Sequence, residues 1–125
     1  MGIGKRIYNA LYRRVWFMLN KSKYNLLGSK TFIDKPLSIT TPRYISFGEY
    51  VGYKTWLEAS PYTGKSSCQL KIGKGTRLGN FNHIYSTESI IIGDNVLTAD
   101  KVYISDNLHS YEDITTPVSL QPIKQ

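Results

Sequence analysis

The sequence predicts a mainly β chain: a parallel β-helix of triangular section, preceded by one α-helix. Three observations predict it. First, one hexad is written three times: Phe47-Gly48-Glu49-Tyr50-Val51-Gly52, Ile72-Gly73-Lys74-Gly75-Thr76-Arg77 and Ile92-Gly93-Asp94-Asn95-Val96-Leu97. An apolar residue (Ile45, Leu70, Ile90) stands two positions before each copy. Second, further hexads follow in phase: Leu78-Gly79-Asn80-Phe81-Asn82-His83, then Thr98-Ala99-Asp100-Lys101-Val102-Tyr103, with third steps opening at Ile84 and Ile104. Self-similarity at a short fixed period marks a chain that stacks coils. An apolar residue opens most steps as the inward side chain of a short strand, and the small residue after it lets the chain turn a corner. Third, the charge is divided. Residues 1–43 hold nine Lys or Arg against Asp34 alone, a balance of +8, and residues 44–125 hold seven basic and eight acidic residues, a balance of −1. The basic character belongs to a segment outside the repeat.

Residues 4–20 read as a helix. At about 100° per residue, Ile7, Tyr8, Leu11, Tyr12, Val15, Met18 and Leu19 share one broad face. Arg6, Arg13 and Arg14 lie outside that face, Lys5 lies at its edge, and Trp16 and Phe17 break the pattern. A basic amphipathic helix of this kind lies on a membrane interface, packs on the β-helix as a cap, or does both with different faces. Residues 21–36 read as irregular, punctuated by Gly28 and Pro36. The expected division is therefore a basic amphipathic helix and irregular lead-in over 1–36, and a β-helix over 37–125. The polar run Pro61 to Ser67 reads as a loop projecting from the first coil, which explains why the first two hexads are 25 residues apart and the next two 20. About three coils are countable between Leu37 and His109. That is a thin core, and the expectation is that C-terminal coils are lacking.

Several function classes are disfavoured. Cys68 is the only cysteine, which excludes an intrachain disulfide and favours a reducing compartment. With only His83 and His109 beside that cysteine, no metal site is expected. The apolar core Val15 to Leu19 is too short to span a bilayer and lacks the marks of a secretory signal. Gly73, Gly75 and Gly79 are spaced as coil corners and match no nucleotide-binding loop. The expected location is cytoplasmic, peripheral to the inner face of the membrane, and nucleic acid is not an expected partner.

Asn80-Phe81-Asn82, then Ile92-Gly93-Asp94-Asn95-Val96, then His109 closing the run Val102 to His109, occur in that order. Over about residues 37–123 the chain resembles the hexapeptide-repeat acyltransferases, in particular the galactoside and maltose O-acetyltransferases and the sugar O-acetyltransferases of polysaccharide biosynthesis. The resemblance implies a left-handed β-helix, a homotrimer with active sites between subunits, and transfer of an acetyl group from acetyl-CoA to a hydroxyl of a sugar or glycan precursor. It implies His109 as the catalytic histidine and Asn82 as a substrate contact.

The residues make a physical case beside the resemblance. A hydroxyl is a poor nucleophile at neutral pH, and an imidazole can take its proton as it attacks a thioester carbonyl. Asp106, three residues before His109, can orient it or bind a substrate hydroxyl. For Asn82 the alternative is an inward asparagine in a stacked ladder. His83 should point away from Asn82, to the outside of its strand. At the 25-residue offset Trp56 and Glu58 align with Phe81 and His83, and Tyr85 lies just beyond. Trp56 and Tyr85 are thus candidates for an acceptor cleft, unless Trp56 packs under the 61–67 loop. Two readings from other classes stand beside the enzyme: a non-catalytic β-helix interaction module, and a membrane-peripheral scaffold held by residues 4–20.

Overall fold

A computed structural model describes residues 2–49, 51–62 and 64–125, so Tyr50 of the first hexad and Thr63 of the projecting loop lie outside the described residues. Among the described residues the chain is mainly strand, with a single α-helix near the N-terminus and twelve short strands. Helix α1 (Ile3–Asn20) is followed by β1 (Leu26–Leu27), β2 (Phe32–Asp34), β3 (Ser38–Thr40), β4 (Ile45–Phe47), β5 (Val51–Tyr53), β6 (Trp56–Ala59), β7 (Gln69–Ile72), β8 (His83–Ser86), β9 (Ser89–Ile92), β10 (Tyr103–Ser105), β11 (Leu108–His109) and β12 (Ile123–Lys124). The first ten form three parallel ladders. One runs β1-β4-β7-β9, one pairs β2 with β5, and one runs β3-β6-β8-β10. The chain visits the ladders in rotation. An isolated parallel bridge, Arg77 to Leu97, falls where the third and fourth circuits pass between their first and third ladders.

Alternation explains the core. In β7 and β9 the residues read exposed, buried, exposed, buried, so Leu70, Ile72, Ile90 and Ile92 point inward. With Ile33, Ile45, Phe47, Leu57, Leu78 and Ile84 they form one apolar cluster. Each buried aliphatic or aromatic side chain contributes about 1.5–3 kcal/mol relative to exposure.

The small residues Gly48, Gly73 and Gly79 have a reason other than backbone freedom, one that Gly93, with open space beside it, does not share. A Cβ on Gly48 would sit 2.5 Å from the Lys74 backbone nitrogen, because the corner of the next circuit lies directly against it. Among the described residues, left-handed backbone is found elsewhere, at Gly64 and Gly75 and at the non-glycine residues Lys35, Thr41, Lys54, Phe81, Asn95 and Lys101. Buried threonines bracket the corners from inside: the Thr31 and Thr76 hydroxyls donate to the carbonyls of Gly48 (2.7 Å) and Gly93 (2.6 Å).

Three expectations are corrected. The lead-in before residue 37 is not irregular, because β1 and β2 already pair in parallel with β4 and β5; the ladders begin at Leu26 and there are four circuits. Strands of two and three residues give too little alternation to be read from sequence. In the third ladder His83 pairs with Trp56 and Tyr85 with Glu58, a separation of 27 residues, so alignment at 25 put each partner two positions out. Finally, Trp16, which broke the apolar pattern of α1, is not outside the packing: the helix meets the ladders through Trp16 and through Tyr12 at the edge of the stripe, while the middle of the stripe stays exposed. Trp16 lies edge-on to Phe32 at 5.5 Å, with Tyr12 at 5.6 Å and the Arg13 guanidinium over the same ring at 5.3 Å. Lys5, Arg6, Arg13 and Arg14 are exposed as expected. No helix among the described residues is long and apolar enough to cross a membrane.

Candidate active site

The third ladder delivers the chain to His109. After β10 the backbone turns at Asp106 and Asn107, and β11 then pairs antiparallel with β12, Leu108 opposite Lys124 and His109 opposite Ile123. Between the two strands, residues 110–122 form a braced loop. Asp113 accepts hydrogen bonds from the Thr115 amide (2.8 Å) and from the Thr115 and Thr116 hydroxyls (both 2.6 Å). The two hydroxyls, then the Thr115 amide, hold the Asp113 carboxyl down at a pKa of about 2. The buried Gln121 side chain donates to the carbonyls of Asp113 and Thr116, both at 2.8 Å.

His109 is exposed, and its Nδ1 lies 3.2 Å from the Gln121 carbonyl oxygen. A carbonyl only accepts, so this contact places the ring hydrogen on Nδ1 and leaves the Nε2 lone pair as the acceptor. The braced loop thereby fixes both the ring and its tautomer. Sequence reasoning missed Gln121. Its contribution is a backbone oxygen, which no side-chain motif announces.

Asp106 does not orient His109. Its carboxylate turns back to the preceding circuit and accepts from the backbone amides of Thr87 (2.8 Å), Glu88 (2.9 Å) and Ser89 (2.8 Å) and from the hydroxyls of Ser86 (3.1 Å) and Thr87 (3.0 Å). Desolvation pushes this carboxyl up, but the three amides and the Asn107 side chain outweigh it and bring the pKa to about 2. Asp106 is a corner bracket, and its acceptor sites are taken. Its charge is also felt by buried Cys68, whose thiol is pushed up to about 11, first by burial and then by Asp106. Such a thiol is no nucleophile at neutral pH.

Asn82 is likewise structural. It is 0 % exposed. Its amide nitrogen donates to the carbonyls of Gly79 (2.9 Å) and Ala99 (2.8 Å), and its oxygen accepts from the Thr98 hydroxyl (2.7 Å). The expected substrate contact gives way to the ladder alternative, because an inward side chain at a corner is used up in holding two circuits together.

The remaining candidates meet on the outer surface of the third ladder. Trp56, His83 and Tyr103 lie in one row across β6, β8 and β10, and Glu58 and Tyr85 lie in the next. Trp56 stacks on His83 with ring centroids 4.3 Å apart and planes 18° apart, and Tyr103 meets His83 at 5.1 Å. Tyr62 from the projecting loop contacts Tyr85 at 6.3 Å, so the loop reaches Tyr85, while the ring stacked on Trp56 is His83. His83 does face outward, and burial lowers its pKa against the raising effect of Glu58. Tyr85 is pushed up to about 12, first by desolvation and then by Glu58 and neighbouring groups, so its hydroxyl stays protonated. Trp56 is 40 % exposed and Tyr103 60 %. Tyr103 was not among the expected site residues, though it stands 20 residues after His83, at the spacing of the last two hexads.

No group of metal-ligating side chains occurs among the described residues. Comparisons with protein-family models, with curated proteins and with solved structures gave no match to this chain.

Proposed function

We propose that the ladders form a left-handed parallel β-helix and that the chain is an O-acetyltransferase. It transfers an acetyl group from acetyl-CoA to a hydroxyl of a sugar or polysaccharide precursor, as a homotrimer with sites between subunits, in the cytoplasm. The resemblance of the hexads supports this reading. The observation that carries it is His109, exposed on β11 just beyond the third ladder with Nδ1 committed to the Gln121 carbonyl.

His109 Nε2 removes the acceptor hydroxyl proton as that oxygen bonds to the acyl carbon. The carbonyl electron pair moves onto its oxygen. When it returns, the carbon–sulfur bond breaks and the imidazolium gives its proton to the departing thiolate. The acetyl ester and a free thiol are the products. Holding acceptor and donor together in a rigid cleft supplies much of the rate. Trp56 and Tyr85 offer aromatic faces to the acceptor's C–H surface, with Glu58 beside Tyr85 as a hydrogen-bond acceptor.

The test is thiol release from acetyl-CoA by the intact protein over a panel of sugar acceptors. His109→Ala should lower turnover by roughly 10²–10⁴-fold, the range for a positioned general base. Turnover within a few-fold of the parent would remove His109 from the chemistry. Absence of turnover, with the protein instead capturing glycans through the Trp56 face, would favour the binding module.

A further inference from the structure

Helix α1 is docked through one edge of its apolar face and not through the middle of it. Trp16 and Tyr12 hold it to Phe32. Ile7, Leu11, Val15 and Met18 remain 55, 58, 54 and 68 % exposed, in line with Ile3 at 76 %. The spacing of these five residues, four, four, four and three, keeps them on one face of a helix about 27 Å long. The body does not need this stripe, because the ladders close their own core.

Cations border the stripe. Lys5, Arg6, Arg13, Arg14, Lys21, Lys23 and Lys30 precede the first acidic residue, Asp34. Beside the helix lies an open cavity of about 630 Å³ lined by Arg6, Asn9, Arg13, Arg14, Ser29 and Lys30. At 100° per residue Arg6 and Ala10 fall between the stripe and the docked side, and Arg14 falls at the stripe's own border, between Ile3 and Ile7, so the cationic cavity flanks the apolar surface.

We propose that α1 seats the protein on the surface of an anionic lipid bilayer. The apolar stripe enters the boundary between headgroups and acyl chains, and the cavity cations meet the headgroup phosphates. The long arginine and lysine stems reach from the edge of the stripe to the phosphates while their alkyl portions stay against lipid. Charge decides against a second copy of this chain as the occupant. Pairing two stripes would bring two uncompensated basic borders together, whereas an anionic surface neutralises them.

The experiment is co-sedimentation of the full chain with vesicles of phosphatidylcholine alone and of phosphatidylcholine mixed with phosphatidylglycerol, at low and at high salt. The intact chain should pellet with the mixed vesicles at low salt, stay in solution with the neutral ones, and be released as salt screens the attraction. The exposed double variant Leu11→Asp, Val15→Asp should keep the parent circular dichroism and lose pelleting. Replacing Lys5, Arg6 and Arg14 together by Gln should weaken binding by roughly 10²-fold, about fivefold per charge. Equal recovery in the supernatant with both vesicle types at low salt would overturn the proposal, and so would pelleting unchanged in the Asp variant. Should sedimentation velocity show a self-associated species that this variant dissociates, without vesicle binding, the stripe belongs to a second copy.

Discussion

Asp106 and His109 are three residues apart and end in opposite surroundings. Asp106 folds back onto the circuit below and is saturated by three amides and two hydroxyls. His109 has left the ladders, pairs with the chain returning from residues 110–122, and presents its ring to solvent. One turn of backbone separates a residue that builds the scaffold from one that the scaffold displays. Nearness in a hexad therefore says little about shared work: what a side chain does depends on whether its position faces the interior of a corner or the outside of a strand.

The largest effect that sharpens this contrast is on activity. His109→Ala should cost two to four orders of magnitude in acetyl transfer, with thermal unfolding unchanged, since the ring is exposed. Asp106→Ala should do the reverse. Stability should drop by about 3 kcal/mol in denaturant titration, because several amides are left without their charged acceptor. Equal damage to activity and stability by either change would break the contrast.

Acid sharpens it further. The folded Asp106 carboxyl titrates at about 2, below its unfolded value, so its contribution is complete above roughly pH 4 and is lost as pH falls toward 2. Between pH 6 and pH 3 the parent should lose more stability than Asp106→Asn, which has no charge to lose; equal losses would assign the acid sensitivity elsewhere, with Asp113 the other carboxylate held near 2.

Smaller still is Asn82→Ala. Removing a buried amide from two carbonyls and a hydroxyl should cost about 2 kcal/mol and leave the kinetics of the folded fraction unchanged. A raised KM for the acceptor with normal stability would return Asn82 to the site. Least costly to stability is Trp56→Ala. Its half-exposed ring should cost about 1 kcal/mol or less, and the effect should appear instead as a raised acceptor KM at near-normal kcat.

The four-residue strands β7 and β9, each with two inward apolar residues, were legible because alternation needs a few residues to declare itself, and β4 was legible because its Ile45 and Phe47 repeat the spacing of those two strands. The N-terminal helix was legible from its charge and period. Its docking face was not, because the stripe that period picks out is the one left in solvent, and the two aromatics that do the docking, Tyr12 and Trp16, sit at the stripe's edge or outside it. The first circuit hid in β1 and β2, too short to show a period. At the candidate site His109 was singled out by the resemblance, since its place in the sequence alone reads equally as an exposed loop histidine. Gln121 was invisible because its backbone oxygen carries the role, and Asp106 and Asn82 misled because polar corner residues look alike whether they face a ligand or a neighbouring circuit.

Every ladder pairing joins residues between 18 (Ser38 to Trp56) and 27 (Trp56 to His83) positions apart, and most are close to 20. No pairing requires the distant ends of the chain to find one another. The loop that closes with each added circuit is nearly constant in length, so the entropy of closure is nearly the same at every step. Such a chain orders like a zipper, growing from any pair of neighbouring circuits toward both ends. Backbone amides in β7 and β8, with a circuit on either side, should be the last to exchange with deuterium, and those of β1 and β10, at the outer edges of their ladders, among the first.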